Sequence, residues 1–325
     1  MKISNAILHI LKNDGNPSVF SANELDIDSE VCEAFIGKHV KKLFNNPATR
    51  EATFSQDSVV YQTMQDYKNG STNFKDAART IAEHLSEIIN KHVDIPPADL
   101  MIVNFEVKHD RFFAVLKLNY KECFTHRTND GADNQLVKYT AVLPFDGGKV
   151  EEACLIPLEP MLIRLIEKPH LVDGTPTNYF SELFLECETT PSRKETAQTI
   201  NDVADEFIQG FCDNDFHLKA MVKTAMTEEA EEADGVVSMD NVATRAFSDD
   251  GIKAEFVHTM REAGIVADMP LGAKFVKQQF GTQRIKADNG VEVKFPAELA
   301  IDGEQVEITK HNDGTLTVTL KRLRV

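Results

Sequence analysis

The sequence predicts an α+β protein: a central antiparallel sheet with flanking helices, an acidic helical segment, and a small hairpin-rich C-terminal module. Three observations carry that expectation. Residues 100–107 and 111–118 are two runs rich in β-branched and aromatic side chains, parted only by Lys108, His109 and Asp110, which is the pattern of a β-hairpin. Residues 74–89 place Phe74, Ala77, Ala78, Ile81, Leu85, Ile88 and Ile89 at three- and four-residue spacing, the period of a helix with one buried face. Beyond residue 280, short alternating runs are separated by Asn289-Gly290, Asp302-Gly303 and Asp313-Gly314, each a strong turn signal between strands.

Taken in order, residues 2–11 alternate and run through Gly15 to 19–21, which suggests an N-terminal hairpin. Ser29 reads as the N-cap of a helix through Phe44 that buries Val31, Phe35, Val40, Leu43 and Phe44, with Pro47 ending it. A shorter helix is expected over 57–67, stopped at Asn69-Gly70, and the 74–89 helix ends before Pro96-Pro97. Residues 139–143 and 153–156, joined across a turn containing Gly147 and Gly148, complete an expected meander of about four strands with helices packed on one face. A short helix is read at 159–167, a turn at 172–176 and a buried segment at 179–185. Ser192 and Glu195 form a capping box for a helix through Phe211, with Ile200, Val203, Ala204, Phe207, Ile208 and Phe211 as its inward stripe. A further helix from 216 fades into the acid run 228–234, read as a solvated hinge. The expected organisation is thus an α+β domain over 1–190, an acidic helical segment over 191–234, and a C-terminal module over 235–325. Within that module 238–247 and 250–263 read as helices, and 273–280, 283–286, 291–295, 306–309 and 315–320 as strands.

Composition bounds the function. With 42% hydrophobic and 27% charged residues among 325, the chain resembles an ordinary soluble globular protein. It contains no run approaching the roughly 20 apolar residues of a membrane helix, and the apolar segment of the first eleven residues is too short for a signal peptide. The five cysteines, Cys32, Cys123, Cys154, Cys187 and Cys212, never form a C-x-x-C pair, so reduced thiols in a cytoplasmic protein are expected. The formal charge of −17 is unevenly shared: residues 250–325 balance 11 cations against 11 acids, while 182–240 carry 4 against 15. Residues 271–287 hold Lys274, Lys277, Arg284 and Lys286 with no acid, and the last five residues add Lys321, Arg322 and Arg324.

Several segments together resemble the NdpA (YejK-type) nucleoid-associated family of bacteria. They are Ala6 to His9 with Ser21, Glu24 and Leu25; the helix bearing Phe35 and His39; Leu116 to Tyr120; Tyr179, Phe180, Ser181, Phe184 and Leu185, then Ser192; and the ending Val306 to Ile308 with Asp313 to Val318. The resemblance implies a cytoplasmic, nucleoid-located protein that binds double-stranded DNA, forms a homodimer and is connected with type II topoisomerases. The expected role is architectural or topoisomerase-modulating and non-enzymatic, with no cofactor, metal or membrane.

DNA contact needs cations placed to neutralise phosphates. Lys274, Lys277, Arg284, Lys286, Lys321, Arg322 and Arg324 are the clustered cations free of acids along the chain, so they are the expected DNA-binding residues. A helix-turn-helix at 238–263 is disfavoured, because Lys253 and Arg261 are outnumbered by Asp250, Glu255 and Glu262. An alternative use of the charge is a docking face at 182–240 for a basic partner, such as a type II topoisomerase subunit, with little DNA affinity in the chain itself.

A second alternative is a metal-dependent nuclease, since Asp288, Glu292 and Lys294 mimic an acid, acid, lysine set and the last two would share a strand face. Asp288 is better explained by the turn at Asn289-Gly290. His84 and His92 are eight apart on one helix, without H-E-x-x-H or another close metal spacing. Phosphate-cradling G-x-x-x-x-G-K-[ST], dinucleotide G-x-G-x-x-G and hydrolase G-x-S-x-G patterns do not occur in the places their chemistry requires.

Overall fold

The hairpin expected at 100–118 forms the second and third strands of a seven-stranded sheet in the computed structural model, which describes residues 1–128, 134–311 and 313–322. The chain divides into two compact units, Met1–Ser192 and Arg193–Val325.

In chain order the first unit comprises β1 (Lys2–Leu11), α1 (Glu30–Phe44), β2 (Arg50–Phe54), α2 (Val59–Lys68), α3 (Phe74–Lys91), β3 (Ala98–Val107) and β4 (Asp110–Asn119). There follow β5 (Lys121–Thr128), β6 (Asn134–Val142), β7 (Glu152–Pro157), β8 (Leu162–Ile166), β9 (His170–Val172), β10 (Thr175–Thr177), a π-helical turn (Phe180–Leu185) and β11 (Cys187–Thr189). The sheet runs β1-β3-β4-β7-β8-β2-β11, antiparallel at every step. Lys108, at φ 58°, takes the left-handed position that lets β3 turn directly into β4.

Both faces of this sheet are covered, where one was expected. Leu100, Ile102, Phe113 and Val115 face α2, α3 and the π-helical turn, while Met101, Val103, Ala114 and Leu116 pack with Ile36, Val40 and Leu43 of α1. That is why β3 and β4 read as continuous apolar runs instead of alternating ones. Val31, assigned to the buried stripe of α1, is 81% exposed; Ile36 takes the inward place. Residues 162–166, read as part of a helix, are β8, whose Ile163 and Leu165 point into the same core.

The larger departure concerns residues 139–143. They do not join the meander beside 153–156; β7 pairs with β4, and β6 pairs with β5 in a separate two-stranded ribbon. No described residue of β5 or β6 is buried, so no core-facing stripe distinguished the ribbon from a sheet strand.

The second unit contains α4 (Arg193–Phe211), α5 (Phe216–Glu232), β12 (Val236–Ser238), α6 (Met239–Ala246), α7 (Asp250–Glu262), β13 (Asp268–Pro270) and α8 (Ala273–Phe280). It closes with β14 (Thr282–Lys286), β15 (Glu292–Pro296), β16 (Val306–Lys310) and β17 (Leu316–Leu320). Helix α4 starts immediately after Ser192 and buries Ile200, Ala204, Phe207 and Ile208, whereas Phe211 is 62% exposed. The acid run completes α5, and Glu229 within it is buried, accepting from Asn241 Nδ2 at 2.6 Å.

Residues 273–280, read as a strand, form helix α8. Val276 and Phe280 are four apart, and with Phe275 they enter a core shared with α4, α5, α6 and α7. Gly272, at φ 87°, starts the helix.

Candidate nucleic-acid interface

The chain leaves α8 through Gly281 and enters the β14–β15 hairpin. Its turn is built as Asp288-Asn-Gly290 suggested: Gly290 sits at φ 87°, and Val291 N–H donates to Asn289 Oδ1 at 3.1 Å. Register pairs Gln283 with Phe295, Arg284 with Lys294, Ile285 with Val293 and Lys286 with Glu292. Because directly opposed residues share a face, Ile285 and Phe295 turn inward onto Ala220 and Val306, in a small core of their own. Arg284, Lys286, Glu292 and Lys294 all turn outward and are exposed.

This outward row holds three cations and one carboxylate. Arg284 Nη2 reaches Glu292 Oε2 at 2.6 Å along the diagonal. Lys294 stands directly across from Arg284, two like charges on neighbouring strands, a placement that costs free energy unless an anion relieves it. Such a narrow two-stranded ribbon is of the width that a DNA major groove admits.

The other expected DNA-binding residues fall elsewhere in the unit. Lys274 and Lys277 are exposed on α8, and Lys277 Nζ lies 2.9 Å from Glu231 of α5, which raises the Lys277 pKa. Lys321 Nζ is 2.6 Å from Glu307, and Arg322 Nη1 is 2.8 Å from Glu304. Arg324 lies outside the described residues. The run that is acid-free along the chain is therefore not acid-free in space: Glu231 arrives from another helix and Glu292 from the adjacent strand. Exposed pairs of this kind contribute about 0–1 kcal/mol, so an incoming phosphate can exchange for the carboxylate at little cost.

Lys294 was absent from the expected set, having been placed with Asp288 and Glu292 in the nuclease-like trio. The sequence did carry the signal. A three-residue turn Asp288-Asn289-Gly290 with strict alternation on both sides puts residue 294 opposite residue 284. In the hairpin Glu292 and Lys294 share the outward face, Glu292 is engaged by Arg284, and Asp288 belongs to the turn. Among the described residues, no three His, Cys, Asp or Glu gather where they could hold a metal ion. His84 instead packs on Phe184, its ring stacked at 5.7 Å.

The cations of the helix pair α6–α7 are engaged by acids of α5, α6 and α7. Arg261 lies 3.2 Å from Asp240, Lys253 2.8 Å from Asp250, and Arg245 contacts Glu228, Glu229 and Glu232. No described helix is long and apolar enough to cross a membrane.

Residues 7–324 match the family model NA37, described as nucleoid-associated protein YejK. No curated protein matches the chain.

Proposed function

The chain belongs to the nucleoid-associated protein YejK family, whose model spans all but its first six residues and its last one, and from that premise we propose that it binds duplex DNA through the outward face of β14–β15. The observation supporting this reading is the row Arg284, Lys286 and Lys294 on a single exposed ribbon face, opposed by Glu292 alone. Lys274 and Lys277 of the preceding helix, with Lys321 and Arg322, are further exposed cations of the same unit available to phosphates. The role is architectural and non-enzymatic. A chain of net charge −17 repels DNA at long range, but screening beyond a Debye length of about 8–10 Å confines that repulsion and lets a local cationic face act. Affinity is consequently modest and falls steeply with salt.

Reversing the face with Arg284→Glu, Lys286→Glu and Lys294→Glu together should weaken duplex binding in a gel-shift titration by at least a hundredfold. Equal affinity of variant and wild type would remove the assignment. The substituted side chains are in water, so the fold is left intact.

A second reading concerns α4 and α5. Residues 193–249 carry 13 acids against five cations, and Asp202, Glu206, Glu231 and Glu232 are exposed on these helices. They suit a docking face for a basic partner, a type II topoisomerase subunit being the one the family points to. Capture of that subunit that survives nuclease treatment supports direct docking; capture lost on nuclease treatment places DNA between the two proteins.

A further inference from the structure

A small cleft in the second unit is lined by α4, α5 and Phe280 of α8. Ile200, Ala204 and Ile208 recur at four-residue spacing along α4, and with Val222 and Phe280 they give the cleft apolar walls. Into these walls the helices set Asp205 from α4 and two lysines, Lys219 and Lys223, from α5. The space left between them suits about one water-sized group.

The two lysines stand one helical turn apart, a spacing at which like charges repel, yet their surroundings differ. Lys219 Nζ is 3.2 Å from Asp205 and 5.5 Å from the centre of the Phe216 ring, so its charge is held in place. Lys223 is half-buried, and its Nζ makes no hydrogen bond or ion pair with a described residue while remaining open to water. Burial lowers the Lys223 pKa, the Asp205 charge raises it and the Lys219 charge lowers it again, for a net shift downward. Lys117 is lowered too, but it is closed to solvent and bound to Glu152. Lys223 thus joins an accessible amine to an environment that disfavours its ammonium form.

A lysine in apolar surroundings beside a second cation is the arrangement that makes its amine a nucleophile. We propose that Lys223 is an acylation site, its amine taking a short acyl group from an acyl phosphate drawn to the Lys219 charge. The Lys223 Nζ lone pair attacks the carbonyl carbon; the C–N bond forms, the C–O bond to phosphate breaks, phosphate leaves with that electron pair, and the amine proton passes to water. The product amide is neutral, so acylation ends any repulsion between the two lysines. Its methyl group has Ile200, Val222 and Phe280 to lie against, and the small cleft favours the shortest acyl chains. The site does not depend on DNA contact at β14–β15.

The test incubates the full chain with acetyl phosphate at neutral pH and follows the acetylated fraction of each lysine by peptide mass spectrometry. Lys223 should react about threefold or more faster than the exposed Lys274 and Lys286, because each unit by which a lysine pKa falls raises its free-amine fraction about tenfold. Its rate should also level off at a lower pH than theirs. Lys219→Gln should remove that lead and leave Lys274 and Lys286 unchanged, since the substitution deletes the neighbouring charge and frees Asp205 to pair with the Lys223 amine. A wild-type Lys223 that reacts no faster than the exposed lysines overturns the proposal, whatever the variant does. A folded Lys219→Gln protein, matched to wild type by circular dichroism, in which Lys223 keeps its full lead overturns it equally.

Discussion

Lys117 of β4 and Glu152 of β7 face each other across the centre of the seven-stranded sheet, Nζ to Oε2 2.9 Å, and neither side chain reaches solvent. Asn119 joins both, and His170 Nε2 approaches the second carboxylate oxygen at 2.6 Å. Lys117 also lies over the Tyr179 ring at 5.9 Å. Strand β9 and the start of the π-helical turn are thus held to the sheet by a buried charge cluster as well as by apolar packing.

Burial opposes both charges, and it lowers the Lys117 pKa; at Glu152, the hydrogen bond to His170 and the Lys117 charge outweigh burial and hold the carboxyl at about 2. Replacing Lys117 by Met should therefore cost about 3–5 kcal/mol, because an uncompensated carboxylate is left in the core, while Lys117→Met with Glu152→Met should cost less than the single change. All five tyrosines, at 61, 67, 120, 139 and 179, lie in the first unit and the chain has no tryptophan. Tyrosine fluorescence during urea unfolding therefore reads this unit alone. A double variant less stable than the single would show that the pair is not acting as a compensated charge.

His9 supplies a pH dependence. It is fully buried on β1, its Nδ1 accepts from the Ser21 N–H at 3.1 Å, and burial followed by the nearby Arg79 charge lowers its pKa from 6.5 to about 4. The folded state thus binds this proton less readily than the unfolded state. Stability from the neutral ring is complete above pH 6.5 and is lost as pH falls from 6.5 toward 4, by up to about 3 kcal/mol. Tyrosine-detected urea midpoints for wild type and His9→Gln should diverge from parallel behaviour in that window; identical pH profiles would refute the assignment.

Gly235 fixes the start of α8. At φ 86°, a Cβ there would stand 2.7 Å from Gly272 Cα and 2.9 Å from Ala273 N, backbone atoms that cannot swing aside. Gly235→Ala should destabilise the second unit by at least about 1–3 kcal/mol, seen as an earlier far-ultraviolet transition with the tyrosine signal unmoved. An unchanged transition would mean the β12–α8 junction yields freely.

How much of this was legible depends on where each residue's partner sits. The α3 stripe and the β3–β4 hairpin have their determinants within a few residues, and both formed as read. Residues 273–280 were misassigned because Phe275 and Val276 adjoin and fit either period; the i, i+4 step from Val276 to Phe280 decides for helix once α5 offers a groove. Val142 and Leu143 look like sheet residues in isolation, and only the pairing of β4 with β7 leaves the preceding strand outside. At the candidate interface, adjacency along the chain exposed Arg284 and Lys286 but hid Glu231 and Glu292, which arrive through tertiary and cross-strand contact. Lys294 was recoverable from hairpin register.

Phosphate contact by the outward cations of β14–β15 is tested by duplex affinity measured against salt concentration. Each neutralised phosphate contributes about −0.9 to the slope of log affinity on log salt. Arg284, Lys286 and Lys294 therefore predict a slope of about −3 or steeper, and Lys294→Gln should make it shallower by about 0.9. A slope in the Lys294→Gln protein that matches wild type would contradict the account.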